Sequence, residues 1–157
     1  AERKMLVPVM QAFARKPVVE ALKKIQAELK QKGLGLKIFD GYRPYQITVE
    51  FYKKASDKNF VANPAKGSKH NRGCAVDLTL INLKTGKELT MATPYDSFAK
   101  EAAANYENVT PEVKANRDFL IKIMGKYGLI VLENEWWHYD FTGWKAFDVM
   151  DIPFEKL

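Results

Sequence analysis

The feature that most constrains the fold is an alternating apolar stretch over residues 74–81 that contains a carboxylate. Valine and leucine side chains occupy every second position there, and Ala75, Asp77 and Thr79 lie between them. This period of two is typical of a β-strand whose apolar side chains share one face. Asp77 then lies on the opposite face, where a carboxylate is unfavourable unless it is paired, hydrogen-bonded or bound to a cation. We therefore expect a β-sheet in which Asp77 is paired, hydrogen-bonded or bound to a cation.

The rest of the pattern predicts helices and strands in mixed order. Apolar residues at helical spacing predict helices over 17–33 and 110–128, and Pro44 is expected to begin a shorter helix. Further strands are expected around residues 36–39, 129–132 and 136–141, with a hairpin turn at 84–87 and a loop over 56–72. This order indicates an α+β fold, with a largely antiparallel sheet flanked by helices.

Composition favours one domain and argues against several function classes. The 157 residues, 46% hydrophobic and 28% charged, fit a single globular domain over residues 1–157 with a core that needs no metal or disulfide. The formal net charge of +6 comes from scattered residues, so nucleic-acid binding is not expected. No apolar run approaches the ~18 residues of a membrane span. The one cysteine forms no intrachain disulfide.

The two histidines lie close in sequence to acidic residues with which they could share a metal ion. His70 lies near the end of the polar loop. Gly73 permits a tight turn that would bring the side chains of His70 and Asp77 together. Together with His138, these residues are the ligand types of a catalytic zinc site with an open fourth position. The alternative is that His70 is a solvated loop residue and His138 a hydrogen-bonded, half-buried strand residue.

Glu135 precedes His138 by three residues, in a segment rich in aromatic side chains. Residues three apart on a regular strand point to opposite faces, so Glu135 must lie at the strand entry or on a bulge to approach the ligand. Trp136 and Trp137 would exclude water from this region. A glutamate that is not itself a ligand would act as general base towards a zinc-bound water.

Arg43 has two interpretations. It could be a surface arginine in a turn, paired with Asp40. Alternatively, Pro44 and the flanking tyrosines could hold its guanidinium rigidly towards a cleft, where it would stabilise the oxygen that becomes negative when a carbonyl is attacked.

Three motifs in order carry a family resemblance. Residues 68–77 fit S-x-H-x-x-G-x-A-x-D, residues 135–138 fit E-x-W-H with an additional aromatic residue, and residues 41–44 read Gly-Tyr-Arg-Pro. Over about residues 18–141, the chain resembles the zinc D-alanyl-D-alanine dipeptidases, the family of the vancomycin-resistance dipeptidase. The resemblance implies one Zn²⁺ per chain and a small D,D-dipeptide substrate.

The resemblance also implies roles for individual residues. His70, Asp77 and His138 would be the zinc ligands. Glu135 would activate the water and then protonate the leaving amine, and Arg43 would stabilise the tetrahedral intermediate.

Two further residues would bind the ends of the substrate. Ser68 would help to hold the substrate termini, and Asp96 would contact the substrate ammonium group. Without the resemblance, Asp96 reads as a turn residue that caps a helix.

Two other functions stay open. One is a D,D-carboxypeptidase or another peptidoglycan stem-peptide peptidase of the same superfamily, although Asp96 and the doubled tryptophan favour the dipeptidase. The other is a non-catalytic wall-binding module, which would need neither Glu135 nor Arg43.

The biological setting is an expectation. We expect the bacterial cytoplasm, or the periplasm if an N-terminal signal has been removed, and a homo-oligomer is possible. The same chemistry serves antibiotic resistance or D-alanine scavenging. Family members have a longer N-terminal segment than residues 1–16, and its absence would leave a more open pocket.

Overall fold

A computed structural model describes residues 13–54, 64–65 and 67–156. These residues form an α+β fold, as predicted. Its elements are helix α1 (Lys16–Lys30), strand β1 (Leu34–Asp40), helix α2 (Tyr45–Lys54), strand β2 (Ala75–Asn82), helix α3 (Pro111–Lys126), strand β3 (Leu129–Leu132) and strand β4 (Glu135–Phe141). Single 3₁₀ turns lie at Lys100–Ala102, between β2 and α3, and at Trp144–Ala146 and Phe154–Lys156, after β4.

Helices α1 and α3 form where the sequence places them. A proline lies in the first turn of each helix, where its missing N–H costs nothing. The Thr110 side chain caps α3 by accepting a hydrogen bond from the backbone N–H of Val113 at 3.2 Å. Each helix buries its apolar face in the core, α1 through Val18, Ile25 and Leu29 among others. These faces cover the sheet and fix its position.

The four strands are antiparallel in the order β1-β2-β4-β3. Strand β2 is central, and its residues 75–80 are buried on both faces. The register places Asp77 opposite Asp40 on β1 and opposite His138 on β4. The sheet therefore brings the carboxylate of the alternating stretch beside one of the two histidines.

The predicted connections are confirmed where the structure describes them. The hairpin turn at 84–87 closes with a 2.9 Å hydrogen bond from the Asn82 N–H to the Lys87 carbonyl. Within the predicted loop 56–72, residues 56–63 and 66 lie outside the described residues, and 69–73 form tight turns. In the described part of the chain, no helix is long and apolar enough to cross a membrane. The single domain over 1–157 stays a prediction.

Candidate metal centre and active site

A tight turn positions His70. The Ser68 hydroxyl accepts a hydrogen bond from the His70 N–H at 3.1 Å, and the Ser68 N–H donates to the Asn71 side chain at 2.9 Å. Gly73 ends the turn with a φ of +69°, and a Cβ at this position would lie 3.2 Å from Arg15 atoms. The glycine is therefore required both for backbone conformation and for close approach.

The turn and the sheet bring His70, Asp77 and His138 together. One possible ligand atom from each residue lies within 4.8 Å of the others. Asp77 Oδ1 is 3.0 Å from His138 Nδ1 and 3.4 Å from His70 Nε2, and these two nitrogens are 3.3 Å apart. All three residues are buried, and only 4% of His70 is exposed. The alternative of a solvated loop histidine is therefore wrong.

The other ring nitrogen of each histidine already has a partner. His70 Nδ1 lies 2.7 Å from the Gly41 carbonyl oxygen, and His138 Nε2 lies 2.7 Å from Asp140 Oδ1. Because both partner oxygens accept hydrogen bonds, these nitrogens carry protons, and the nitrogens that face Asp77 would offer lone pairs once a metal ion displaced any proton there. Two imidazole nitrogens and one carboxylate oxygen fit the ligand preferences of Zn²⁺.

The electrostatics of this cluster favour a cation. Burial opposes ionisation of Asp77, but the charges and hydrogen bonds of His70 and His138 outweigh it and lower the pKa of that carboxyl well below its usual range. Burial likewise disfavours a charged His138, yet hydrogen bonds with Asp140 and Asp77 raise its pKa to about 10. The cluster therefore attracts positive charge, which either a proton or a metal ion in its place can supply.

Glu135 reaches the cluster because β4 is irregular. Leu132 pairs with Glu135 and Val131 with Tyr139, so residues 136–138 have no opposing residue between those pairs on β3. The prediction of a strand-entry or bulged position is confirmed. Glu135 Oε2 lies 3.9 Å from His138 Nδ1. Burial, and then the Asp77 carboxylate, raise the pKa of Glu135 above its ordinary value against the opposing charge of His138.

Aromatic side chains enclose this side of the cluster. Trp136 and Trp137 are almost fully buried and contact each other edge to face, with ring centroids 5.4 Å apart. The Trp136 indole N–H donates to the Thr93 hydroxyl at 2.9 Å, and the Tyr95 ring contacts Trp137. The residues that follow β2 therefore pack against the start of β4.

Arg43 forms the ion pair that the first interpretation predicted. Its Nη2 lies 2.5 Å from Asp40 Oδ2, and its guanidinium lies 5.1 Å from the centroid of the Phe51 ring. The side chain is only 15% exposed, and its backbone N–H donates to the His70 carbonyl at 3.0 Å. Arg43 is thus a fixed cation attached to the His70 turn, and the ion pair is compatible with either interpretation.

Asp96 lies in an exposed turn and caps no helix in the described part of the chain. Its φ of +65° is the only positive value among the described non-glycine residues. Aspartate tolerates this conformation better than most residues. Partial burial and then the Asp77 carboxylate raise the pKa of Asp96, and the nearby Arg43 opposes them.

Sequence reasoning missed two polar residues that contact the cluster. Asp140 binds His138 and lies 3.5 Å from the Lys69 ammonium group. The signal was present, because residues two apart on a strand share a face. Tyr95 donates its hydroxyl to Asp77 Oδ2 at 3.0 Å, and no periodicity predicted that contact. Burial and then Asp77 raise the pKa of Tyr95, so the hydroxyl keeps its proton.

Comparisons with known proteins identify the family of the chain. Residues 2–152 match the family Peptidase_M15, described as D-ala-D-ala dipeptidase. The chain is 34% identical over 125 residues to the D-alanyl-D-alanine dipeptidase of Escherichia coli, a match covering 80% of this chain and 64% of that relative. It is 29% identical over 152 residues to the Enterococcus faecalis enzyme of the same name, covering 83% and 74%.

A solved structure supports the fold. The LD-carboxypeptidase LdcB superimposes with a TM-score of 0.56 at 24% identity, covering 85% of this chain and 61% of that one. This likeness concerns the fold alone, and the chain spans less than two thirds of both that protein and the Escherichia coli relative. The match to the family over residues 2–152 establishes membership: the chain belongs to the D-Ala-D-Ala dipeptidase family of peptidases.

Proposed function

We propose that this chain is a zinc-dependent dipeptidase that hydrolyses D-Ala-D-Ala to two molecules of D-alanine. The observation that carries the proposal is the buried cluster in which His70 Nε2, His138 Nδ1 and Asp77 Oδ1 converge. One Zn²⁺ held by these atoms would lower the pKa of a bound water and polarise the scissile carbonyl.

Glu135 would move the protons. Its carboxylate stands beside the cluster at 3.9 Å from His138 Nδ1 without belonging to the three ligands. It would accept a proton from the attacking water and deliver it to the leaving amine. A raised pKa suits a group that must both take and release a proton near neutral pH.

Arg43 would stabilise the negative charge on the carbonyl oxygen during attack. The pair with Asp40 and the contact with Phe51 hold the guanidinium before substrate arrives. Charge stabilisation is most effective when the donor does not have to reorganise during the reaction. The Asp40 pair therefore serves this role by holding Arg43 in place.

Asp96 and Ser68 would select a substrate with free ends. The exposed Asp96 carboxylate would pair with the substrate ammonium group. The Ser68 hydroxyl accepts from the His70 N–H, and it would donate its own hydrogen to a substrate carboxylate. Relatives named D-alanyl-D-alanine dipeptidase support this substrate. Localisation in the bacterial cytoplasm stays a prediction.

The test measures D-alanine release from D-Ala-D-Ala by the zinc-loaded protein, with N-acetyl-D-Ala-D-Ala in parallel. We expect cleavage of the free dipeptide alone, because acetylation removes the ammonium group that Asp96 would contact. Cleavage of the acetylated substrate instead would identify a D,D-carboxypeptidase. Zinc binding without cleavage of either substrate would contradict the dipeptidase and favour a non-catalytic wall-binding module.

A further inference from the structure

The two oxygens of the Asp77 carboxylate have different partners. Oδ1 faces both histidines, at 3.0 Å from His138 Nδ1 and 3.4 Å from His70 Nε2. Oδ2 accepts the hydroxyl of Tyr95 at 3.0 Å. One oxygen is thus directed to the point where the ligand atoms converge, and the other is engaged by a donor outside the ligand set.

The ring of Tyr95 is fixed on two sides. It stacks on Phe39 with centroids 4.3 Å apart at 15° and contacts Trp137 edge to face at 5.6 Å. Phe39 is the extra residue of an irregularity in β1, because Ile38 pairs with Leu78 and Asp40 with Asp77. Such an irregularity changes where a side chain points. The packing leaves the hydroxyl little freedom to leave Asp77.

We propose that Tyr95 restricts Asp77 to binding the metal through Oδ1 alone. The inference rests on the proposed zinc site and adds a residue that determines its geometry. A carboxylate can bind a metal through one oxygen or through both. A second bound oxygen would occupy the position that a catalytic zinc site keeps open for water or substrate. By donating to Oδ2, Tyr95 keeps this position available.

The same hydrogen bond joins substrate recognition to the metal site. Tyr95 immediately precedes Asp96, whose backbone has a φ of +65°. The contact with Asp77 therefore anchors the turn that presents the Asp96 carboxylate. Loss of the hydroxyl is expected to raise KM for D-Ala-D-Ala as well as to change the metal site.

The test compares Tyr95→Phe with a matched control, Tyr127→Phe. Tyr127 also donates its hydroxyl to a carboxylate, at 2.6 Å from Glu28 Oε2, between the end of α3 and helix α1. Both variants keep the aromatic ring and lose one such hydrogen bond. The readouts are zinc affinity by chelator competition and the visible absorption spectrum of the Co²⁺-substituted protein, with KM measured alongside.

For Tyr95→Phe we expect zinc binding about 10- to 100-fold weaker than in the wild type, as for other partners of metal ligands. Its Co²⁺ absorption should also weaken, because a second Asp77 oxygen raises the coordination number. Tyr127→Phe should match the wild type in both. A Tyr95→Phe protein with wild-type affinity and spectrum would overturn the inference.

The outcomes separate this inference from the proposed function. A wild type that cleaves D-Ala-D-Ala, with an unchanged spectrum in Tyr95→Phe, contradicts only the role of Tyr95. A wild type that binds metal without cleaving peptide, with an altered spectrum in Tyr95→Phe, supports the role of Tyr95 and contradicts the dipeptidase. Absence of metal binding in the wild type overturns both.

Discussion

The two histidines of the cluster are held by different kinds of structure. His70 lies in a turn, and its position depends on the Ser68 hydroxyl and on the left-handed backbone of Gly73. His138 lies in a strand, where pairing with Asp77 fixes its position. The difference teaches that strand pairing sets the backbone position of His138, whereas the turn that carries His70 depends on the Ser68 hydroxyl and on glycine at position 73.

The partners behind the histidines differ as well. A neutral backbone carbonyl, from Gly41, accepts from His70, and a carboxylate, from Asp140, accepts from His138. A charged acceptor forms the stronger hydrogen bond and makes the opposite ring nitrogen a better ligand. We therefore expect changes on the strand side to affect metal affinity most, and changes on the turn side to affect stability as well.

Among changes next to the two histidines, the largest effect on zinc affinity is expected for Asp140→Asn. The amide oxygen can still accept from His138, but its negative charge is lost, so zinc affinity should fall about 10- to 100-fold. Chelator competition measures the change. Asp118→Asn is the matched control, because Asp118 is a half-exposed carboxylate on α3 paired with Lys114. Equal zinc affinity in Asp140→Asn and the wild type would remove the proposed difference between the two histidines.

An intermediate effect on zinc affinity, together with a loss of stability, is expected for Gly73→Ala. Left-handed backbone in a residue with a Cβ costs about 1–2 kcal/mol, and this Cβ would also lie 3.2 Å from Arg15. Gly86→Ala is the control, since Gly86 has a φ of +72° and nothing within 4 Å of an added Cβ.

Denaturant unfolding and zinc titration should distinguish these two glycine variants. Both should lose stability, and only Gly73→Ala should also bind zinc more weakly, because its strain acts on the His70 turn. If the two variants bind zinc equally well, the turn does not control the position of His70.

The smallest effect is expected for Ser68→Ala. The turn loses one hydrogen bond to the His70 N–H, worth about 1 kcal/mol of unfolding free energy, while Asn71 still contacts the turn. Zinc affinity should change only a few-fold, and KM for D-Ala-D-Ala should rise if the hydroxyl also contacts substrate. A loss of zinc affinity as large as that of Asp140→Asn would contradict the expectation that changes on the strand side affect metal affinity most.

Much of the fold was predictable because the main helices and strand β2 have regularly spaced apolar residues. The spacing of apolar residues indicated the type of α1, α3 and β2 and the buried face of α1, whereas β2 is buried on both faces and its alternation predicted only one. The spacing between Glu135 and His138 predicted a strand-entry or bulged position for Glu135, and the structure places it at the first residue of β4, beside a shift in register. The local residue pattern was sufficient to predict features that depend on a single helix or strand.

The contacts that the sequence did not reveal join distant segments. Tyr95 meets Asp77 across 18 residues through a segment with little regular structure, so no period predicts the contact. The pair between Arg43 and Asp40 was foreseen, but the sequence could not choose between a surface pair and a catalytic guanidinium. Such choices depend on tertiary packing and on chemistry that only experiments assign.

The most direct test of the account uses Glu135→Gln, with zinc content and D-Ala-D-Ala hydrolysis measured on the same preparations as the wild type. Glutamine keeps the size of the side chain and loses the ability to accept the proton. The account predicts one zinc per chain in both proteins and a fall in turnover of at least about 100-fold in the variant. Wild-type turnover in Glu135→Gln with zinc bound would contradict the account.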